Sequence, residues 1–151
     1  MRYAKSLLLL LGCAVAMFAA DPFVGTWKMN PAKSKFKMGA PSKEQTVTIG
    51  ESGGDLMVKV SGTAADGSPI ALSYTVPSAG GPGKIDSSAY DGIVARRKGP
   101  TEREMGYMKG GKEIYTTHSK IAADGKSLTV TSKGLNPIGK NVEGTIIYEK
   151  Q

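Results

Sequence analysis

From Gln45 onward apolar and polar residues alternate. Val47 and Ile49 flank Thr48, Leu56, Val58 and Val60 flank Met57 and Lys59, and Ile70, Leu72, Tyr74 and Val76 flank Ala71, Ser73 and Thr75. Leu128 and Val130 flank Thr129, while Val142, Ile146 and Tyr148 share one parity with Gly144 between them. A period of two with β-branched filler predicts half-buried strands, because successive side chains on a strand point to opposite faces. The intervening Thr, Ser and Lys suit a solvated face. Turn chemistry separates the runs: Gly53-Gly54-Asp55, Asp66-Gly67, Asp91-Gly92, Gly110-Gly111 and Asp124-Gly125 each supply a residue tolerant of positive φ. Ser78 to Gly83 and Asn136-Pro137 mark longer breaks. The pattern predicts strands over 23–29, 45–51, 55–63, 69–76, 84–89, 93–98, 101–108, 112–121, 127–133 and 142–149, joined mostly by hairpins. No helical period survives beyond the first twenty residues.

Such an antiparallel meander has two edges to manage, and closure removes them. Both ends of the chain, Phe23 to Met29 and Val142 to Glu149, read as strands. Their pairing predicts an all-β, up-and-down antiparallel barrel of eight to ten strands, with an open sandwich as the alternative. The inward parity of the central strands, Leu56, Val58, Val60, Ile70, Leu72, Tyr74 and Val76, would line an interior able to enclose a small apolar molecule.

The first twenty residues break the pattern. Arg2 and Lys5 precede Leu7 to Leu11, the apolar run continues through Phe18, and Ala19-Ala20 precede Asp21-Pro22. A basic start, a short apolar stretch and small residues at its end describe a secretory signal peptide over 1–20. The stretch is shorter than the roughly 20 residues that span a bilayer. Cleavage is expected after Ala20, with Ala16 as the alternative; Leu10 to Cys13 resembles a lipoprotein box, which makes lipidation of Cys13 the minor alternative. The chain is therefore expected to be exported, to the periplasm or beyond, as one barrel domain over 21–151.

Composition narrows the function. Of 151 residues 20 are basic and 13 acidic; the leader removes two of the basic ones and Cys13, the single cysteine. The exported part then carries no thiol, which excludes disulfides, cysteine catalysis and thiolate metal sites. His118 is the single histidine, and neither a metal site nor a catalytic role is expected of it. Gly125-Lys126-Ser127 joins two strands and lacks the upstream glycine of a phosphate loop, and no Gly-x-Ser-x-Gly elbow occurs. Glu102 and Glu104 share a strand face and read as a solvated edge. No enzyme, metal or cofactor is expected. Two basic clusters, Lys33, Lys35, Lys37 and Lys43 around Phe36 and Arg96, Arg97, Lys98 and Arg103, lack the interleaved aromatics of nucleic-acid binding. Solubility is their simplest role, and an anionic envelope surface is the alternative partner. A monomer is expected.

Asp21 to Met29, containing Gly25-Thr26-Trp27, resembles the opening of the fatty-acid-binding proteins and the wider calycin (lipocalin-like) superfamily, and Ile146 to Lys150 is similar to their last strand. Trp27 to Phe36, Ala123 to Val130 and Tyr148 to Lys150 also resemble a group of small secreted bacterial proteins. The resemblance implies that Gly25 and Trp27 close one end of the barrel, with ligand access at the other. Trp27 can do so on physical grounds, its indole as plug and its N–H bonded to a carbonyl. Two departures matter. The family's carboxylate-holding Arg, two residues before the last-strand Tyr148, is Ile146 here; Arg97 or Arg103 could take its place. The segment from Asn30 to Glu44 is too short for the family's helical lid. The expected function is an exported barrel that binds a small apolar or amphipathic ligand. The alternative is an envelope structural, protein-interaction or inhibitor module with a filled barrel, making contact through Pro31 to Lys43.

Overall fold

A computed structural model describes residues 19–151. Residues 1–18, with Cys13 and Ala16, lie outside the described residues, and only Ala19 and Ala20 of the signal peptide expected over 1–20 fall within them. Nine strands have five or more residues: β1 (Gly25–Met29), β3 (Glu44–Ser52), β4 (Asp55–Thr63), β5 (Pro69–Pro77), β8 (Gly92–Gly99), β9 (Glu102–Lys109), β10 (Lys112–Ile121), β11 (Ser127–Leu135) and β12 (Asn141–Lys150). Three are shorter: β2 (Lys35–Met38), β6 (Gly81–Pro82) and β7 (Lys84–Asp86). There is no helix among the described residues.

The strands form one antiparallel sheet in the order β6-β8-β9-β10-β11-β12-β1-β3-β4-β5-β7. The ends of the chain meet as expected. Trp27 lies opposite Lys150 on β12 and opposite Val47 on β3, so β1 is an interior strand. The hairpin glycines expected to turn the chain do so: Gly53, Gly54, Gly67, Gly110, Gly111 and Gly125 all have positive φ.

Closure is completed differently from the sequence expectation. The strand expected over 84–89 stops at Asp86 and does not pair with β8. Its three residues pair with β5, Tyr74 opposite Ile85, while the preceding β6 pairs with β8, Gly81 opposite Ala95. The segment 81–86 thus straddles the seam between β5 and β8 and leaves the barrel nearly closed. Gly83 is the crossing point. Its N–H bonds the Ile93 carbonyl at 3.0 Å, and a Cβ there would lie 2.2 Å from the Thr75 carbonyl oxygen. Asp91-Gly92 is accordingly no hairpin; Asp91 N–H bonds the Met108 carbonyl at 2.9 Å and Gly92 opens β8.

A second difference is β2, within a segment expected to be a plain connection. Phe36 pairs with Gly144 of β12, where a Cβ would lie 2.7 Å from the Phe36 ring. On β10 the register slips between Glu113 and Tyr115, and Gly134 faces this bulge with φ +114°; a Cβ there would lie 2.2 Å from the Ile114 carbonyl oxygen.

The core explains how a barrel without disulfides holds together. At the base, where the hairpins at 53–54, 98–101 and 122–126 gather, Trp27 and Phe23 are fully buried. Trp27 Nε1–H donates to the Phe23 carbonyl at 2.9 Å, so the indole satisfies its one polar atom while plugging the tube. Phe23 lies in a turn before β1 rather than in the expected strand. Leu56, Val58, Val76, Ala95, Met105, Ile121 and Leu128 belong to the same buried cluster.

Candidate functional site

Inside the barrel a cavity of about 80 Å³ remains. Val60, Ile70, Leu72, Tyr74, Arg103 and Tyr148 of the expected interior residues line it. Leu56, Val58 and Val76 do not; they are packed into the buried core instead. Arg97 does not line it either and is engaged at the base, where its NH1 bonds Asp21 Oδ2 at 2.8 Å and its Nε and NH2 donate to the Gly99 and Pro100 carbonyls at 2.7 and 2.6 Å. Ile146 lines the cavity from β12.

Other wall residues are ones the sequence pattern does not assign to the lining. Gln45, Tyr107, Tyr115, Thr117 and Ser119 complete the polar lining, and Val47, Ile49, Leu128 and Val130 the apolar lining. The parity of β10, with Tyr115, Thr117 and Ser119 on one face, is a signal that could have found three of them. Tyr74, Tyr90, Tyr107 and Tyr115 form an aromatic group toward the mouth, with Tyr90 and Tyr115 rings nearly parallel at 6.0 Å and Tyr107 at 5.0 and 5.1 Å from them. Tyr90 OH donates to the Leu135 carbonyl at 2.6 Å, and Tyr148 OH to Gln45 Oε1. Burial pushes Tyr90, Tyr107, Tyr115 and Tyr148 up from the usual phenol range, so the cavity walls at Tyr107, Tyr115 and Tyr148 present hydroxyls and not phenolates.

The charge in this cavity belongs to Arg103. It is 5% exposed, and its Nε and NH1 are buried with no hydrogen-bond partner. Its guanidinium carbon lies 4.4 Å from the centre of the Phe23 ring, a cation–π contact that holds the plane without satisfying its N–H groups. Its cross-strand neighbours are Ser119 and Arg97. The nearby carboxylate, Asp21, is already held by Arg97. No carboxylate is among the residues lining the cavity. A guanidinium stays charged in any protein environment, so burying it unpaired is costly.

The cavity leads toward the end opposite Trp27. A pocket of about 40 Å³ shares Gln45, Ile70, Tyr115, Pro137 and Ile146 with it, and a cup of about 270 Å³ beyond shares Ile70, Ser42, Asn136, Ile138 and Val142 with that pocket. The tip Pro137–Ile138 is fixed by Asn136 Oδ1, which accepts from the Ile138 and Lys140 N–H groups at 3.2 and 2.9 Å. Larger hollows of about 450 and 520 Å³ are open grooves on the barrel's outer surface.

No protein-family model and no curated protein matches this chain. Solved structures do. A redesigned β-barrel aligns over 88% of this chain and 95% of its own, with 18% identity and a TM-score of 0.50. Another redesigned β-barrel, bound to DFHBI, has 16% identity over 87% and 98% at a TM-score of 0.49. Zebrafish ileal bile acid-binding protein complexed with cholic acid has 12% identity over 86% and 99% at 0.48. The first of these shares its β-barrel fold with the chain. The architecture is a nearly closed antiparallel β-barrel, with its terminal strands paired and Trp27 at its base.

The remaining candidates lie on the outer wall. His118 Nε2 is 2.7 Å from Glu102 Oε1, both partly exposed. Among the described residues no group of three His, Cys, Asp or Glu side chains is arranged to hold a metal. Half of the basic-cluster residues are paired: Lys33 with Glu149 at 2.9 Å, Lys37 with Glu143 at 3.4 Å, Arg96 with both Glu104 and Glu113, and Arg97 with Asp21. Glu113 is held below the usual carboxylate range by its bond to Arg96, against some burial.

Proposed function

We propose that this chain is a small-molecule-binding barrel whose ligand is a small amphipathic anion. The negative end sits against Arg103, and the apolar part lies among Val47, Ile49, Leu72, Leu128 and Ile146. The observation that carries this reading is the buried guanidinium whose Nε and NH1 lack any partner beside an internal cavity. A carboxylate oxygen can accept from either of these N–H groups, and charge-assisted bonds of that kind are about twice as strong as neutral ones. The cavity of about 80 Å³ allows about three enclosed non-hydrogen atoms, since one water occupies about 30 Å³. A longer tail runs toward the mouth between Ile70, Tyr115 and Pro137.

Export belongs to the same reading. The basic start, the leucine run and the small residues at Ala19-Ala20 support it. The function is binding without turnover. The competing reading, an interaction module with a filled barrel, draws support from the small cavity; it predicts no ligand.

Calorimetric titration with straight-chain carboxylates of two to eight carbons, against the matching alcohols, separates the two. The expected result is saturable one-to-one binding of carboxylates, at least tenfold weaker for the alcohols and for Arg103→Met. No binding by any carboxylate, or equal binding of acid and alcohol, overturns the proposal.

A further inference from the structure

Asp21 is tied down by every polar group it has. Its Oδ1 accepts from Phe23 N–H at 3.0 Å, and its Oδ2 from Ser78 Oγ at 2.7 Å and from Arg97 NH1 at 2.8 Å. Its carbonyl accepts from Val24 N–H at 2.9 Å. Its own nitrogen donates to Glu51 Oε2 at 3.1 Å. One residue thus joins the β3–β4 hairpin, the loop after β5 and the end of β8, directly beneath Phe23. Ala19 and Ala20, immediately before it, are exposed and in no regular structure.

Glu51 is the second observation. Among the described residues it makes no ion pair, and the partner of its carboxylate is the neutral amide of Asp21. That position would suit an ammonium group better than an amide. Peptide hydrolysis between residues 20 and 21 puts one there.

We infer, resting on the export reading, that the α-ammonium released by cleavage of the Ala20–Asp21 bond is held by Glu51 as the final tie at the base of the barrel. In the step a peptidase directs water to the Ala20 carbonyl carbon. The hydroxyl stays on Ala20 as its new carboxylate, the C–N bond breaks, and the Asp21 nitrogen leaves with the proton as an amine that is protonated at neutral pH. One N–H···O bond to the Glu51 carboxylate becomes an ion pair, charged on both sides, without the nitrogen having to move. Cleavage after Ala16 would leave four further residues and the neutral amide in place. The charges in contact with this corner are Glu51 from β3, Arg97 from β8 and the carboxylate of Asp21 itself. Arg97 is already bonded by that carboxylate, which leaves Glu51 to set the ammonium's affinity for its proton.

The full-length gene is expressed in an exporting bacterial host, and the purified product is weighed intact by mass spectrometry. The expected mass is that of residues 21–151; a principal product beginning at any other residue overturns the processing site. The same protein and its Glu51→Gln variant are then compared by the rate of α-amine acylation at pH 7, which follows the free-base fraction. The ordinary α-amine pKa is about 7.7–8.0, and the pair should raise it enough to slow acylation about threefold relative to the variant. Equal rates overturn the tie to Glu51.

Discussion

Arg103 lies across Phe23, its guanidinium carbon 4.4 Å from the ring centre, with two of its nitrogens turned to no acceptor at all. The ring sits in the plug of the barrel and the charge in its interior, so the residue that seals the base is also the platform for the interior's charge. A buried charge left unpaired is destabilising by more than a buried neutral donor, for which the cost is about 1–3 kcal/mol. Arg103→Met should therefore keep or raise the denaturation midpoint while abolishing carboxylate binding. A fall in stability of several kcal/mol, measured by urea titration, would make Arg103 a structural residue.

Trp27→Ala should cost about 3–5 kcal/mol, since it empties the base of a barrel that has no disulfide to fall back on. Trp27→Phe should cost less, about 1–2 kcal/mol, by losing volume and the N–H bond to the Phe23 carbonyl. Denaturant midpoints for the pair test the plug directly.

Gly83→Ala should open the seam. Its Cβ would meet the Thr75 carbonyl oxygen at 2.2 Å and Val76 Cγ1 at 2.6 Å, both on β5, which cannot retreat without breaking its pairing with β4. A loss of roughly 2 kcal/mol or more is expected, with faster amide exchange in β7 and β6. Gly99→Ala is the control: nothing lies within 4 Å and its φ is not positive, so its midpoint should hardly move.

The stability of the base should depend on acid. Burial raises the Asp21 carboxyl, but bonds from Phe23 N–H, Ser78 and Arg97 together outweigh it and hold the group below its usual 3.8. A group with a lowered folded-state pKa stabilises the fold fully above the unfolded value and loses that contribution as pH falls through the folded one. Wild type should lose stability relative to Asp21→Asn below about pH 4, and the two curves should run parallel above pH 5. Thermal melts from pH 2 to 7 measure this.

The alternation of Leu56 to Val76 made the barrel legible, because inward parity is fixed once a strand is recognised. The same rule left the site half legible. Arg103 carries no mark that separates it from Arg97, six residues away and directly across the ladder. Only the packed structure shows that Arg97 reaches Asp21 while Nε and NH1 of Arg103 reach no acceptor. Phe23 was beyond pattern reading, since it works from a turn. The strand expected over 84–89 failed for a different reason: Gly83 is a crossing between two partners, and local alternation cannot tell which neighbour a short segment will choose. Parity also could not measure how completely Leu56, Val58 and Val76 fill the base.

The most direct test reads Arg103 itself. The Nε–H resonance of its guanidinium, assigned by comparison with Arg103→Lys, is followed by NMR as butyrate is added, with butanol as the neutral control. The account predicts a saturable downfield shift and slowed exchange with water for butyrate alone. A resonance that stays put with both, in a protein that is folded throughout, would contradict it.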